Sequence, residues 1–576
     1  MQQATGALSN QASRTMTESS TSIRSGALGA LYGAAFCFLA ATVVSVWAAY
    51  DGAVALNRFF LLLSGILAVM AAPLLGGRLS LRSTSAGVTT LSNLLVLGVA
   101  LGYGLQRLGV ISPASGPAWL PSFSDNQAAQ LLALGLPFTV ASIWLGVSDR
   151  RKALGALGML ALLLGAAALA LTASRGAWLG IAAAALAAIY LFVRTALQQR
   201  TTRRSIALWL LDGLALLAVL ALLGFYLAVV ASPAFDAQVG ASAQGGSALS
   251  RIALWRDSMP LIEDYYFTGS GLGATAMVYA TYAYLLHVPY LYHAHNLYVQ
   301  VALEQGAPAL LAWLALLIAT VVYALAALRV AESTGRALVI AGLAALTALL
   351  VHGLFDAELY AGTLAALTFY APAVLLWSAA SVYADAAEFQ GHEPASGIAT
   401  GVGVVMGAGL PLLLALLLPG APARWEANLG AVQQTRAELS RYRRPEWSFQ
   451  DQVRRQETAA LAPAEAHFAA ALVLDPTQPT AHRRLGAIAL ARGQFDRARD
   501  HLTVAYQVEP YDRATRQLLG EVLALDGDIA GAVRTWQGLD VGQGQFMVRE
   551  WWYQAFGQPE QVEKLNDAVQ AFERTE

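Results

Sequence analysis

Apolar stretches long enough to cross a bilayer recur along this chain at close intervals, and no other feature restricts its fold as much. A helix spans the hydrocarbon core with about 20 apolar residues. Runs of that kind lie at 26–49, 57–75, 87–106, 128–147, 153–171, 176–193, 206–231, 297–328, 336–355, 361–383 and 399–419. They predict an all-α, polytopic transmembrane bundle over 26–420, of about eleven spans, or about twelve if 274–292 also inserts. With 57% hydrophobic and 13% charged residues, the composition is that of a membrane protein. A net charge of -1 and the lack of a basic tract argue against a nucleic-acid partner. The single cysteine, Cys37, excludes an intramolecular disulfide and a cysteine metal cage. Residues 1–25, rich in Ser, Thr, Gln and Ala, read as a disordered tail before an uncleaved first span.

Positive charge marks the cytoplasmic loops. Arg78 with Arg82, Arg150-Arg151-Lys152, Arg194 with Arg200, Arg203 and Arg204, and Arg329 with Arg336 fall in alternate loops. The loop of Arg175, the long segment 232–296 and the turn at 356–360 are therefore expected to share the extracytoplasmic side, together with everything after 420. Arg436, Arg441, Arg443 and Arg444 run against the last step, although long tails obey the charge rule poorly.

After a linker at 421–446 the apolar excess ends, and from 447 a period of 34 residues appears: Ala464, Ala498 and Ala532; Phe468, Leu502 and Trp536; Gly486 and Gly520; Pro476 and Pro510. This pattern resembles the tetratricopeptide repeat and predicts an α-solenoid of helix pairs over 447–576, with 546–576 as a capping helix. Such arrays bind peptides or protein partners, or serve only for packing.

Four polar clusters fall at the expected outer ends of helices, where ionisable residues are most informative. Ser174-Arg175-Gly176-Ala177-Trp178 has almost no loop, so Arg175 offers a fixed guanidinium fork to a phosphate; the same pattern fits an interfacial arginine beside a belt tryptophan. Ile252, Trp255, Met259 and Ile262 recur at helical spacing, which predicts an amphipathic helix lying on the bilayer with Arg251 and Arg256 at its edge. Gly269-Ser270-Gly271-Leu272-Gly273 follows no strand and reads as a turn, not a nucleotide loop. In His293-Ala294-His295-Asn296-Leu297-Tyr298, Asn296 is placed to cap the following helix and His295 to sit at its positive end. Two histidines two apart also suggest zinc, but no third ligand at metal-site spacing is evident, and no metal is expected. His352-Gly353-Leu354-Phe355-Asp356-Ala357-Glu358 brings two carboxylates to the same face.

Together these residues resemble the bacterial O-antigen ligase and O-antigen polymerase superfamily of integral membrane glycosyltransferases. The likeness spans 26–383 and rests on the Ser174-to-Trp178 element, on Arg251 with Leu254-Trp255, and on the His-Asn element. Ligases of that group carry His-Asn, nine residues and Gly, which His295-Asn296 and Gly306 fit. Three residues on, Ala309 departs from the family's Gly, Thr or Tyr. The span at 399–419 and the repeat region are additions that the simplest ligases lack.

The resemblance implies transfer of a glycan from undecaprenyl pyrophosphate to an acceptor hydroxyl at the bacterial inner membrane, without cofactor. It implies Arg175, Arg251 and Arg256 as the pyrophosphate grip and His295 as the base, with Ser174, His293, Asn296, Tyr298 and Asp356 supporting them. The implied partners are the lipid-linked donor, an acceptor glycan, lipid or protein, the membrane lipids and a protein bound by the repeats. A polymerase joining lipid-linked units and a protein O-oligosaccharyltransferase use the same residues. A lipid or solute transporter fits less well, because its charges would lie at mid-membrane between repeated halves.

Overall fold

The computed structural model describes residues 2–111, 122–200, part of 208–224, 247–390 except 287 and 290, 397–441, and 450–575 except 540 and 542. Among the described residues there is no strand, and ten helices are long and apolar enough to cross a membrane. They comprise α1 (Gln2–Ala48, apolar from Ser22), α2 (Gly52–Gly76), α3 (Leu81–Arg107), α4 (Asp125–Ser148), α5 (Lys152–Thr172) and α6 (Arg175–Arg200). After the long loop segment, with α7 (Ser247–Asp264) and α8 (Thr275–Tyr282), come α9 (Leu297–Ala327) and α10 (Ser333–Gly353). The short α11 (Glu358–Ala361) and a 3₁₀ turn (Ala365–Phe369) lead into α12 (Tyr370–Gln390), followed by α13 (Gly397–Leu416).

These ten coincide with ten of the expected runs; the run at 206–231 lies largely outside the described residues. The alternative span at 274–292 is not one, since it carries only the eight-residue α8. The disordered-tail reading of 1–25 is also corrected: α1 starts at Gln2, because a proline-free polar stretch extends a helix that the first span already nucleates. The last span closes on the first, with glycines where the two backbones meet: a methyl on Gly403 would fall 2.1 Å from the Gly26 carbonyl oxygen, and one on Gly407 2.1 Å from that of Ala30.

Helix α9 is broken, and the break organises the loop. Gly306 sits at φ +79° and Pro308 has no N–H to give, so the carbonyls of Leu303 and Glu304 lose their helical partners. The segment 266–271 replaces them: Ser270 N–H donates to Leu303 O (2.8 Å), Gly271 N–H to Glu304 O (3.1 Å), and Ala307 N–H turns to Tyr266 O (2.8 Å). Gly269 must lack a side chain, since a methyl there would lie 2.1 Å from Glu304 O. The glycine motif is thus a backbone splice into an opened helix and more than a turn. Beside it, Arg58 of α2 and Glu304 form a buried pair (3.6 Å). Such a pair inside a bilayer needs most of its remaining groups bonded, and here all but Arg58 Nε and Glu304 Oε2 are. Arg58 donates to the carbonyls of Tyr360, Ala361 and Gly362, while Thr275 (3.0 Å) and Gln300 (2.9 Å) donate to Glu304.

The linker expected at 421–446 is instead mostly a helix, α14 (Ala421–Leu439), whose Asn428 side chain accepts from Phe267 N–H (2.9 Å) and Thr268 N–H (3.3 Å). Beyond it lie α15 (Gln450–Gln456), α16 (Thr458–Leu474), α17 (Pro479–Ala491), α18 (Phe495–Val508), α19 (Arg513–Leu525) and α20 (Ile529–Trp536). The 34-residue spacing has a physical basis: Ala464, Ala498 and Ala532 are all buried, and each bulky partner covers a glycine of a facing helix. Phe468 packs on Gly430, Leu502 on Gly486 and Trp536 on Gly520. Two helices, α21 (Gln543–Ala555) and α22 (Pro559–Glu573), close the array where one was expected.

This helical array grips the loop. The Asp264 carboxylate receives Arg483 and both Nε (3.1 Å) and an NH₂ (2.6 Å) of Arg484, all of them buried. The Arg484 guanidinium lies 3.6 Å from the Tyr282 ring centroid, that of Arg513 lies 4.7 Å from the Tyr284 centroid, and Gln545 donates to Tyr284 O (2.7 Å). Loop and array therefore stand on one side of the bundle. The amphipathic-helix reading of α7 is corrected in its face: Leu254, Trp255 and Leu261 are buried against α8, α14 and the start of α9, while Met259 is exposed. Trp255, one of the residues expected to meet lipid, is thus covered by α8, α14 and the start of α9.

Candidate active site

The ends of α4, α6, α9 and α10 converge, and the polar clusters meet there. Asn296 caps α9, its side-chain oxygen accepting from Tyr298 N–H (3.0 Å) and Val299 N–H (3.1 Å), while its amide nitrogen donates to Leu354 O (3.1 Å). That cap satisfies the orphan donors of the first turn and ties α9 to the end of α10. Tyr298 adds a second tie through its hydroxyl to Leu350 O (3.0 Å). The preceding strip is pinned from both sides, by Trp255 Nε1 on Ala294 O (3.0 Å) and by Gln300 Oε1 on Ala294 N–H (2.8 Å). His295 is left in the left-handed region at φ +48°, a conformation that costs a non-glycine residue and is held by these neighbours.

Asp356 lies opposite. Its Oδ2 is 3.5 Å from His295 Nδ1 and accepts from Asn126 Nδ2 (2.9 Å), and its Oδ1 accepts from Glu358 N–H (2.8 Å). Burial pushes its pKa up, but the facing imidazole of His295 and the neighbouring His352 and His293 outweigh that and hold the carboxyl below the usual carboxylate range. His293, whose ring centroid is 4.1 Å from that of His295, is driven down to about 4, first by burial and then by His295 and Arg251, against the pull of Asp356. His293 is neutral at physiological pH, and Asp356 is charged. Burial raises Glu358, with Asp356 adding to it and a hydrogen bond to Ser124 opposing it.

Ser174 opens α6 after left-handed Ala173 (φ +51°), and its hydroxyl donates to Asn126 Oδ1 (3.0 Å). Gly176 is required two residues on, because a methyl there would come within 2.9 Å of His352. Arg175 is exposed and has no hydrogen-bond partner among the described residues. Arg251 donates to Phe355 O (2.8 Å), beside Asp356. Arg256, five residues farther along α7, is half-buried, which lowers its pKa, with Asp257 opposing.

Residues 160–314 match the O-antigen ligase family model. No curated protein matches the chain. The O-antigen ligase match runs from within α5 into α9 and contains Ser174, Arg175, Arg251, Arg256, His293, His295, Asn296 and Tyr298. It supports the O-antigen ligase superfamily for the membrane region and a glycan ligase or polymerase type of function. Asn126, His352, Asp356 and the helical array lie outside the matched stretch.

The arrangement corrects one expectation directly. Asp356 supplies the third donor that the sequence did not reveal, so that His293, His295 and Asp356 present ligand-type atoms all within 4.8 Å. Two imidazoles and a carboxylate suit a divalent ion. A lipid-linked donor needs no metal to be activated, so full activity in excess chelator remains the expected outcome. Activity lost to chelator and restored by a single divalent ion would assign these three groups to a metal instead. Asn126 escaped the sequence reading as well, although Ser124-Asp125-Asn126-Gln127 is a polar run heading an otherwise apolar helix at the same end as Arg175.

Proposed function

We propose that this chain transfers a glycan from undecaprenyl pyrophosphate to an acceptor hydroxyl on the extracytoplasmic face of the bacterial inner membrane, in the manner of an O-antigen ligase. The observation that carries the reading is His295, inside the stretch that matches the ligase family, held against Asp356 at the meeting of four helix ends. Nδ1 of His295 faces the carboxylate, which leaves Nε2 to take the acceptor proton. As that hydroxyl oxygen bonds to the anomeric carbon, the bond from this carbon to the pyrophosphate oxygen breaks and undecaprenyl pyrophosphate departs. Arg175, Arg251 and Arg256 offset the charge that develops on it, since a guanidinium binds two phosphate oxygens and keeps its proton. By analogy with the family, a single displacement of this kind inverts the anomeric centre.

The buried Ala309, where ligases carry Gly, Thr or Tyr, favours a polymerase as the second reading. Purified protein incubated with lipid-linked glycan and a panel of lipid, glycan and polypeptide acceptors separates these outcomes. Product on a non-repeat acceptor supports the ligase, chain elongation supports the polymerase, and passage across liposomes without transfer would sink both.

A further inference from the structure

We infer that Asn126 is a positioning residue that ties the Ser174–Arg175 turn to the Asp356–His295 pair, an inference that rests on the reading of His295 as the base. A carboxylate only accepts, so the face of the Asn126 amide toward Asp356 Oδ2 (2.9 Å) must be its NH₂. Its oxygen is then turned to Ser174, whose hydroxyl donates to it at 3.0 Å. Both ends of the amide are engaged, so its orientation is fixed from two sides. Ser174 and Asp356 are nearly inaccessible, with 7% and 1% of their surface exposed, so a lost partner leaves a buried polar group unsatisfied. The other oxygen of Asp356 is already taken by Glu358 N–H, so Asn126 decides where the oxygen facing His295 sits.

The chain of contacts runs from α6 through α4 to the end of α10 and across to α9. One end carries Arg175, the exposed guanidinium placed for pyrophosphate, and the other carries the nitrogen that takes the proton. Asn126 thereby sets the distance between donor grip and base, which is the quantity on which near-attack geometry depends. None of this needs Asn126 to touch substrate.

The test is a double-mutant cycle on full-length protein in lipid nanodiscs. Asn126→Ala should lower kcat about tenfold or more with donor KM unchanged. Ser174→Ala should lower it less, Ser174→Thr should restore it, and the double variant should be no slower than Asn126→Ala alone, since the two act through one link. At a fixed pH, the rate at which diethyl pyrocarbonate labels His295, read from its peptide by mass spectrometry, should change in both single variants. Multiplying effects in the double variant, a loss confined to KM, or an unchanged His295 labelling rate in folded Asn126→Ala would overturn the link. If the wild type transfers no glycan while the labelling rates shift as expected, the glycan reading fails and the link stands.

Discussion

Alanine at His295 is expected to lower glycan turnover by about a hundredfold or more, the range for a general base, while donor binding changes little. The left-handed backbone there (φ +48°) makes a control necessary. Asn tolerates that conformation better than most residues and has no basic nitrogen, so His295→Asn should be as slow as His295→Ala. The arginines should behave differently. Arg175 has no hydrogen-bond partner among the described residues, and Arg175→Lys should weaken donor binding and turnover together, because a point charge does not reproduce the planar fork. Arg251→Lys should do the same and also loosen the turn at Phe355, whose carbonyl its guanidinium holds. Initial-rate kinetics with varied lipid donor separate the two patterns. A folded His295→Ala protein that transfers glycan at nearly the wild-type rate removes the base from this mechanism.

Asp264→Ala is expected to cost about 3–5 kcal/mol of stability, the scale for removing one partner from a buried ion pair. The carboxylate neutralises two buried guanidinium groups, those of Arg483 and Arg484, in the seam between loop and helical array. Without it, Arg483 keeps Asp512 (3.1 Å) and Glu509 (3.5 Å), but the buried Arg484 loses its carboxylate and either stays uncompensated or pulls out into water and undocks the array. Thermal unfolding in detergent, followed by protease sensitivity of the 247–286 segment, reads the effect. A melting curve that overlays the wild type would show that the seam does not depend on this carboxylate. Replacing Asp264 and Arg484 together by apolar residues of similar volume, with Arg483 left on Asp512 and Glu509, should recover much of the loss, since a well-packed apolar seam carries no desolvation penalty.

The spans were legible because a bilayer imposes length and composition on each helix separately, so every run could be read alone. The Asn296 cap was legible for the same reason: donor and acceptor lie two and three residues apart. The 34-residue spacing identified the crossing residues Phe468, Leu502 and Trp536, because each helix pair repeats one packing problem. What escaped depends on partners remote in the chain. His295 meets Asp356 only because α9 and α10 are antiparallel neighbours joined at Leu354. Asn126 lies 230 residues from its carboxylate. Glu304 is hidden within an apolar run, and its partner Arg58 is in another. Segment 421–446 looked like a linker because α14 buries its Ala, Asn and Thr side chains against the loop, and that burial leaves no apolar stripe to read.

The splice in α9 also bears on how the protein is made. Segment 266–271 leaves the ribosome before residues 303–307, so the donors for the opened carbonyls exist before the helix that needs them enters the bilayer. Hydrocarbon offers those carbonyls no substitute, and α9 does not reach its final shape at the translocon until the loop has folded back onto it. The clamp arrives later still, with Arg484 synthesised 220 residues after Asp264. Biogenesis is thereby ordered into helix entry, loop insertion and domain closure, and a nascent chain stalled near residue 420 would carry the second step without the third.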